Sequence, residues 1–218
     1  MDSLILTFNK EQLSIYYELL EKKDLELNFD TALSPTQDYS LDLLDIEILS
    51  ILNEMTELIK FKKQKTMFSS SLTQEKLQEL IPIYYKVINN IWYHQRNVRN
   101  EIVILSCLIC DVEKSIADIN QRYANFLPYK AALYNRPGYV SRIKYTDKQF
   151  KANIEKANGC KKALLSYFDD LIKLCDIISD FFKKSSKASD EPKFKSFNTY
   201  DFFLSVDSFI EQLKALSK

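Results

Sequence analysis

A chain of 218 residues with 46% hydrophobic content can bury one sizeable core or two small ones. Its 30 basic and 30 acidic residues cancel, which argues against a global electrostatic attraction to nucleic acid or to an anionic membrane. Two glycines, where about 15 would be average, leave little with which to build tight β-turns or phosphate-cradling loops, so helices joined by polar loops are favoured.

Met1-Asp2-Ser3 offers no basic n-region, and the apolar stretch Leu4 to Phe8 is too short for a signal peptide. No apolar run reaches the length of about 18 residues expected of a membrane-spanning helix. Cys107, Cys110, Cys160 and Cys175 lie inside apolar helical patterns, which reads as buried thiols in a reducing, cytoplasmic setting.

In chain order, Asn9 and Gln12 are spaced as a capping box, with Phe8 and Leu13 as its staple, and predict a helix to about Lys23. Asp24 to Tyr39, with Pro35, reads as a connection. Leu41, Leu44, Ile48, Ile51, Met55 and Leu58 then form one stripe of a helix from near Ser40 to near Met67. Ser69 to Ser71 break it, Ser71 and Gln74 have capping-box spacing, and Pro82 falls either in a kinked first part or near the start of a second helix.

The clearest pattern follows. Ile88, Ile91, Gln95, Val98, Ile102, Leu105, Ile109, Val112, Ile116, Ile119, Tyr123 and Phe126 alternate in steps of three and four, a heptad seam interrupted by Gln95 alone. The helix from about Ile83 to Leu127 would be roughly 65 Å long. Pro128 is expected to end it, and Pro137-Gly138 to mark a turn. Thr146 and Gln149, stapled by Tyr145 and Phe150, predict the start of a second long helix with its own stripe, from Phe150 and Ile154 to Ile178 and Phe182.

The expected fold is therefore all-α: an elongated helical bundle with a long antiparallel coiled-coil hairpin, about 83–127 and 146–184, and shorter flanking helices. Residues 1–184 form the bundle, 185–198 a polar linker, and 199–218 an amphipathic helix packing on the bundle or on a partner. Phe203, Val206, Ile210, Leu213 and Leu216 line the apolar face of that last helix.

Catalytic signatures are sparse. One histidine, His94, cannot supply a multi-histidine metal site, and the isolated glycines cannot build a nucleotide-binding loop, so no metal and no cofactor are expected. Cys107 and Cys110 make a nominal CxxC, but the neighbouring Ile104, Leu105 and Val112 favour thiols that fill core space over a metal or redox pair.

Two groups of residues stand out as candidate sites. His94, Gln95, Arg96 and Arg99 form a polar belt on the seam, read as a buried polar residue that fixes register flanked by ion-pairing arginines, ahead of a ligand site. Tyr134, Arg136, Tyr139, Arg142 and Lys144, with Tyr129, Lys130 and Tyr145 beside them and Asp147 alone opposing, form a basic aromatic connection suited to binding a partner. These features point to a non-enzymatic interaction or scaffold protein with a protein partner or a homo-oligomer, ahead of nucleic acid or a membrane. The alternatives are a membrane-active or membrane-shaping helical protein and an enzyme with a dispersed active site.

Overall fold

A computed structural model describes residues 41–65, 72–136, 138–189 and 197–217. The helix expected over Asn9 to Lys23 and the connection after it lie outside the described residues. Those described form four helices and no strand: α1 (Leu43–Lys65), α2 (Gln74–Leu133), α3 (Val140–Ser189) and α4 (Thr199–Leu216). The chain divides into two compact units, one of them Ser40–Ser106 with Leu165–Lys218, the other containing Cys107–Leu164. Each unit takes part of α2 and part of α3.

In the four-helix unit the expected stripes become a core. Ile48, Ile51, Met55 and Leu58 of α1, Ile91, Val98 and Leu105 of α2, and Leu171, Leu174 and Ile178 of α3 are all fully buried. Each such side chain contributes about 1.5–3 kcal/mol on leaving water. Leu41 at the head of the α1 stripe is exposed, since the helix begins only at Leu43.

The apolar face of α4 finds its partner within the chain. Phe209 stacks on Phe181 of α3 with ring centroids 4.3 Å apart, and Phe202 lies against Tyr84 of α2 at 5.7 Å. The Asn198 side chain accepts the Asp201 N–H as N-cap, and the Asn198 N–H donates to Ala188 O at 2.9 Å, which fixes the entry of α4 beside the end of α3. That end lies further on than expected: α3 continues to Ser189, into the predicted linker, and residues 190–196 fall outside the described residues.

The second unit is an antiparallel hairpin. Ile119, Phe126 and Leu133 of α2 and Ile143, Phe150 and Ala157 of α3, each set at seven- or near-seven-residue steps, form its buried cluster. Phe126 and Phe150 face each other at 5.4 Å, and Glu113 and Lys161 pair across the two helices at 2.7 Å. In both units the heptad stripe is thus closed by residues of the same chain. The turn at the hairpin end contains Gly138 at φ +94°, a left-handed conformation that only glycine adopts without strain.

Several local expectations are corrected. Pro128 does not end α2, which runs on to Leu133, because Tyr129 and Leu133 bury beyond it and offset the lost backbone hydrogen bond. Of the two places open to Pro82, it takes the one inside the first part of α2; the Thr73 hydroxyl accepts the Lys76 N–H at the start of that helix, and the expected cap Ser71 lies outside the described residues. Thr146 and Gln149 do not start α3; Ile143 N–H already bonds Tyr139 O, and Tyr145 is too exposed to staple anything. Cys107 and Cys110 are not core thiols either: both are exposed on α2, and Cys160 and Cys175 are half-buried.

Candidate functional site

The basic aromatic residues gather at the end of the hairpin unit, but mostly on helix rather than in a loop. Tyr134 and Arg136 belong to the turn and are exposed, Tyr139 packs partly against the buried cluster, and Arg142 and Lys144 stand exposed on the first turns of α3. Tyr145 is 65% exposed and Tyr134 46%. Tyr129 is the exception, since it is buried in the closed end and burial pushes its hydroxyl pKa up.

Asp147 organises this end. Lys130 Nζ lies 2.9 Å and Lys151 Nζ 3.1 Å from its carboxylate, and the Tyr123 hydroxyl donates to it at 3.0 Å. The Lys130 hydrogen bond foremost, opposed by burial and reinforced by Lys151 and Tyr123, holds the carboxyl below the usual carboxylate range. Tyr123 is displaced upward, first by burial and then by the same carboxylate.

Residues 119–154 contain seven lysines and arginines and a single acidic residue, Asp147. Arg122 pairs with Asp118 just outside that span, and Lys130 and Lys151 with Asp147, while Arg142, Lys144 and Lys148 stand exposed as a local excess of positive charge that the zero net charge of the chain conceals. Phe126, Tyr129, Leu133, Tyr139, Arg142 and Ile143 close on a void of about 10 Å³, room for one water at most.

The polar belt of α2 belongs to the four-helix unit and does not converge. Gln95 is 4% exposed, and its Nε2 donates to Ser179 Oγ at 2.8 Å and to Cys175 O at 3.3 Å on α3. The charge of Arg99 also acts toward α3, where it partly counters the upward push of burial on the Cys175 thiol. His94 faces α1 instead, with Nδ1 2.5 Å from the Glu47 carboxylate, while Arg96 is exposed. The belt is thus divided between two helix interfaces, and its four residues do not form one site.

Glu47 is the residue that sequence reasoning missed. It is buried, and its second carboxylate oxygen accepts from Asn97 Nδ2 at 3.2 Å. Asn90 to Glu54 at 2.7 Å and Lys86 to Glu57 at 3.0 Å continue the same polar row between α1 and α2. The only signal was that Glu47 borders the α1 stripe next to Ile48; its partners lie more than forty residues away in the chain.

Two open grooves also mark the four-helix unit. One, of about 400 Å³, runs past Tyr84, Ile88, Trp92 and Phe182; the other, of about 590 Å³, past Lys184, Lys187, Asn198 and Asp201. Among the described residues no group of three or more His, Cys, Asp or Glu is placed to hold a metal ion, and no helix is long and apolar enough to cross a membrane. No protein-family model, no curated protein and no solved structure matches the chain.

Proposed function

We propose that this chain is a non-enzymatic interaction protein whose basic, tyrosine-bearing hairpin end docks on an acidic polypeptide. The observation that carries the reading is the exposed cluster of Arg142, Lys144 and Lys148 on the first turns of α3, beside an Asp147 that Lys130 and Lys151 already occupy. Exposed arginine and tyrosine side by side are the residues that protein interfaces use most heavily. A lipid-inserting end would present its apolar side chains outward, whereas Phe126, Leu133, Ile143 and Phe150 are all buried here. The helical seams, of coiled-coil type in sequence, hold the hairpin rigid and so lower the ordering cost of binding. A cytoplasmic setting belongs to the same reading, since a reducing compartment suits a chain that carries the exposed cysteines Cys107 and Cys110.

The test is fluorescence anisotropy of a labelled Glu-rich peptide titrated with the full chain at low and at physiological salt. The reading expects binding that weakens with salt and falls by at least roughly tenfold, about 1.4 kcal/mol, when Arg142, Lys144 and Lys148 are all changed to Glu. Helicity and melting should stay unchanged, as the three side chains are exposed. Equal binding by the triple variant would overturn it. So would a preference for phosphatidylserine vesicles or for a single-stranded oligonucleotide over the peptide.

A further inference from the structure

We propose that Cys107 and Cys110 form a solvent-facing dithiolate site for a soft monovalent cation, copper(I). The case begins with the exposure of both thiols on α2, which removes the packing role that their apolar neighbours suggested. The two are three residues apart on an unbroken helix, so they lie on adjacent turns of one face, with Cβ atoms about 5–6 Å apart.

That separation decides between the chemistries open to a thiol pair. A direct disulfide needs Cβ atoms about 3.5–4.5 Å apart, so closing one here would distort the helix. An ion held between the sulfurs relaxes the demand, because two metal–sulfur bonds of about 2.3 Å bridge a sulfur–sulfur gap of roughly 4–5 Å. The helix then binds without changing shape.

The donor set selects the ion. Zinc takes four protein ligands in a closed site, and no third His, Cys, Asp or Glu joins this pair among the described residues. Copper(I) is soft, favours thiolate over oxygen, and is satisfied by two sulfurs. Asp111, the nearest carboxylate in sequence, is a hard donor and is held by Lys114 at 3.0 Å. Binding releases both thiol protons to solvent and transfers no electron, leaving a bis-thiolate complex of net charge minus one.

The experiment is competition for copper(I) between the reduced full chain and the chromophoric chelator bicinchoninate under anaerobic conditions. One copper per chain should leave the chelator. Either Cys107→Ser or Cys110→Ser should weaken binding by at least roughly a hundredfold, since loss of a direct ligand exceeds the 10–100-fold cost of losing an outer-shell partner. Cys160→Ser and Cys175→Ser should bind as the parent does. Circular dichroism of each variant checks the helices. Undiminished binding by either single variant, one copper shared by two chains, or an equal loss in Cys160→Ser would each overturn the site.

Discussion

His94 Nδ1 stands 2.5 Å from the Glu47 carboxylate, bringing α2 and α1 together through a polar contact that is almost fully buried. A buried carboxylate is tolerated only when its oxygens are occupied, and here His94 takes one and Asn97 the other. Glu47→Ala should therefore leave two half-buried groups, His94 and Asn97, without their partner and cost about 2 kcal/mol. At roughly 2–4 °C per kcal/mol for a chain of this size, the melting temperature should drop by about 4–8 °C. Glu47→Gln, which keeps an acceptor, should fall by less. A thermal melt in which the two variants are indistinguishable from the parent would show that water replaces the contact at no cost.

What was legible in the sequence was the periodic part of the fold. Ile91, Val98 and Leu105 in one unit, and Ile119 and Phe126 in the other, are buried where the heptad stripe places them, because burial depends on position around the helix and position follows from spacing. The same geometry held the answer for Cys107. It lies two residues past Leu105, roughly 200° around the helix from the seam, so its exposure was readable and the apolar neighbours misled. Helix ends were less legible. Thr146 and Gln149 have the spacing of a cap, yet caps compete with tertiary burial, and Ile143 buries well before them. Of the candidate site, the residues of the basic end were found, but its excess charge depends on Asp147 being occupied by Lys130, Lys151 and Tyr123, contacts that only the folded hairpin creates.

Gln95 should behave differently from Glu47 on substitution. Its partners do not depend on it, since Ser179 Oγ also donates to Cys175 O at 2.8 Å. Gln95→Leu then removes a desolvated amide and leaves little unsatisfied, so stability should rise by about 1 kcal/mol in urea denaturation. Gln95→Ala removes the same amide but opens a cavity at a buried position, and should destabilise by about 1–2 kcal/mol. A destabilised Gln95→Leu would mean that the amide is needed to hold α2 and α3 in register.

Asp147 gives a pH dependence of defined sign. Its folded pKa lies below the ordinary value, so the unfolded chain binds its proton first as the solution is acidified. The stability it contributes is complete above the unfolded value of about 3.9 and is lost as pH falls through the lower folded value. The urea midpoint of the parent should exceed that of Asp147→Asn by a constant margin near neutral pH. The margin should shrink only below about pH 4. Added salt should reduce it at neutral pH, because Lys151 is more than half exposed. A margin that is already closing near pH 6 would assign the effect to another group.

Pro128 stands inside α2, where proline removes one backbone donor and crowds the carbonyl of the preceding turn, a cost of about 3 kcal/mol in a helix interior. The helix continues because Tyr129 and Leu133 bury beyond it and Phe126 buries before it, so packing on both sides holds the residue in place. Pro128→Ala should restore the donor to the Ala124 carbonyl and raise stability. The gain should stay below the full helix penalty, because alanine also frees the unfolded chain by about 0.4–1 kcal/mol. A rise of about 1–2 kcal/mol in urea denaturation is the expected result. The same change should leave peptide binding at the hairpin end intact, since Arg142, Lys144 and Lys148 lie outside the turn of helix that it relaxes. Unchanged stability would mean that α2 already bends enough at Pro128 to relieve the clash, and weakened binding would mean that this bend sets the position of the basic end.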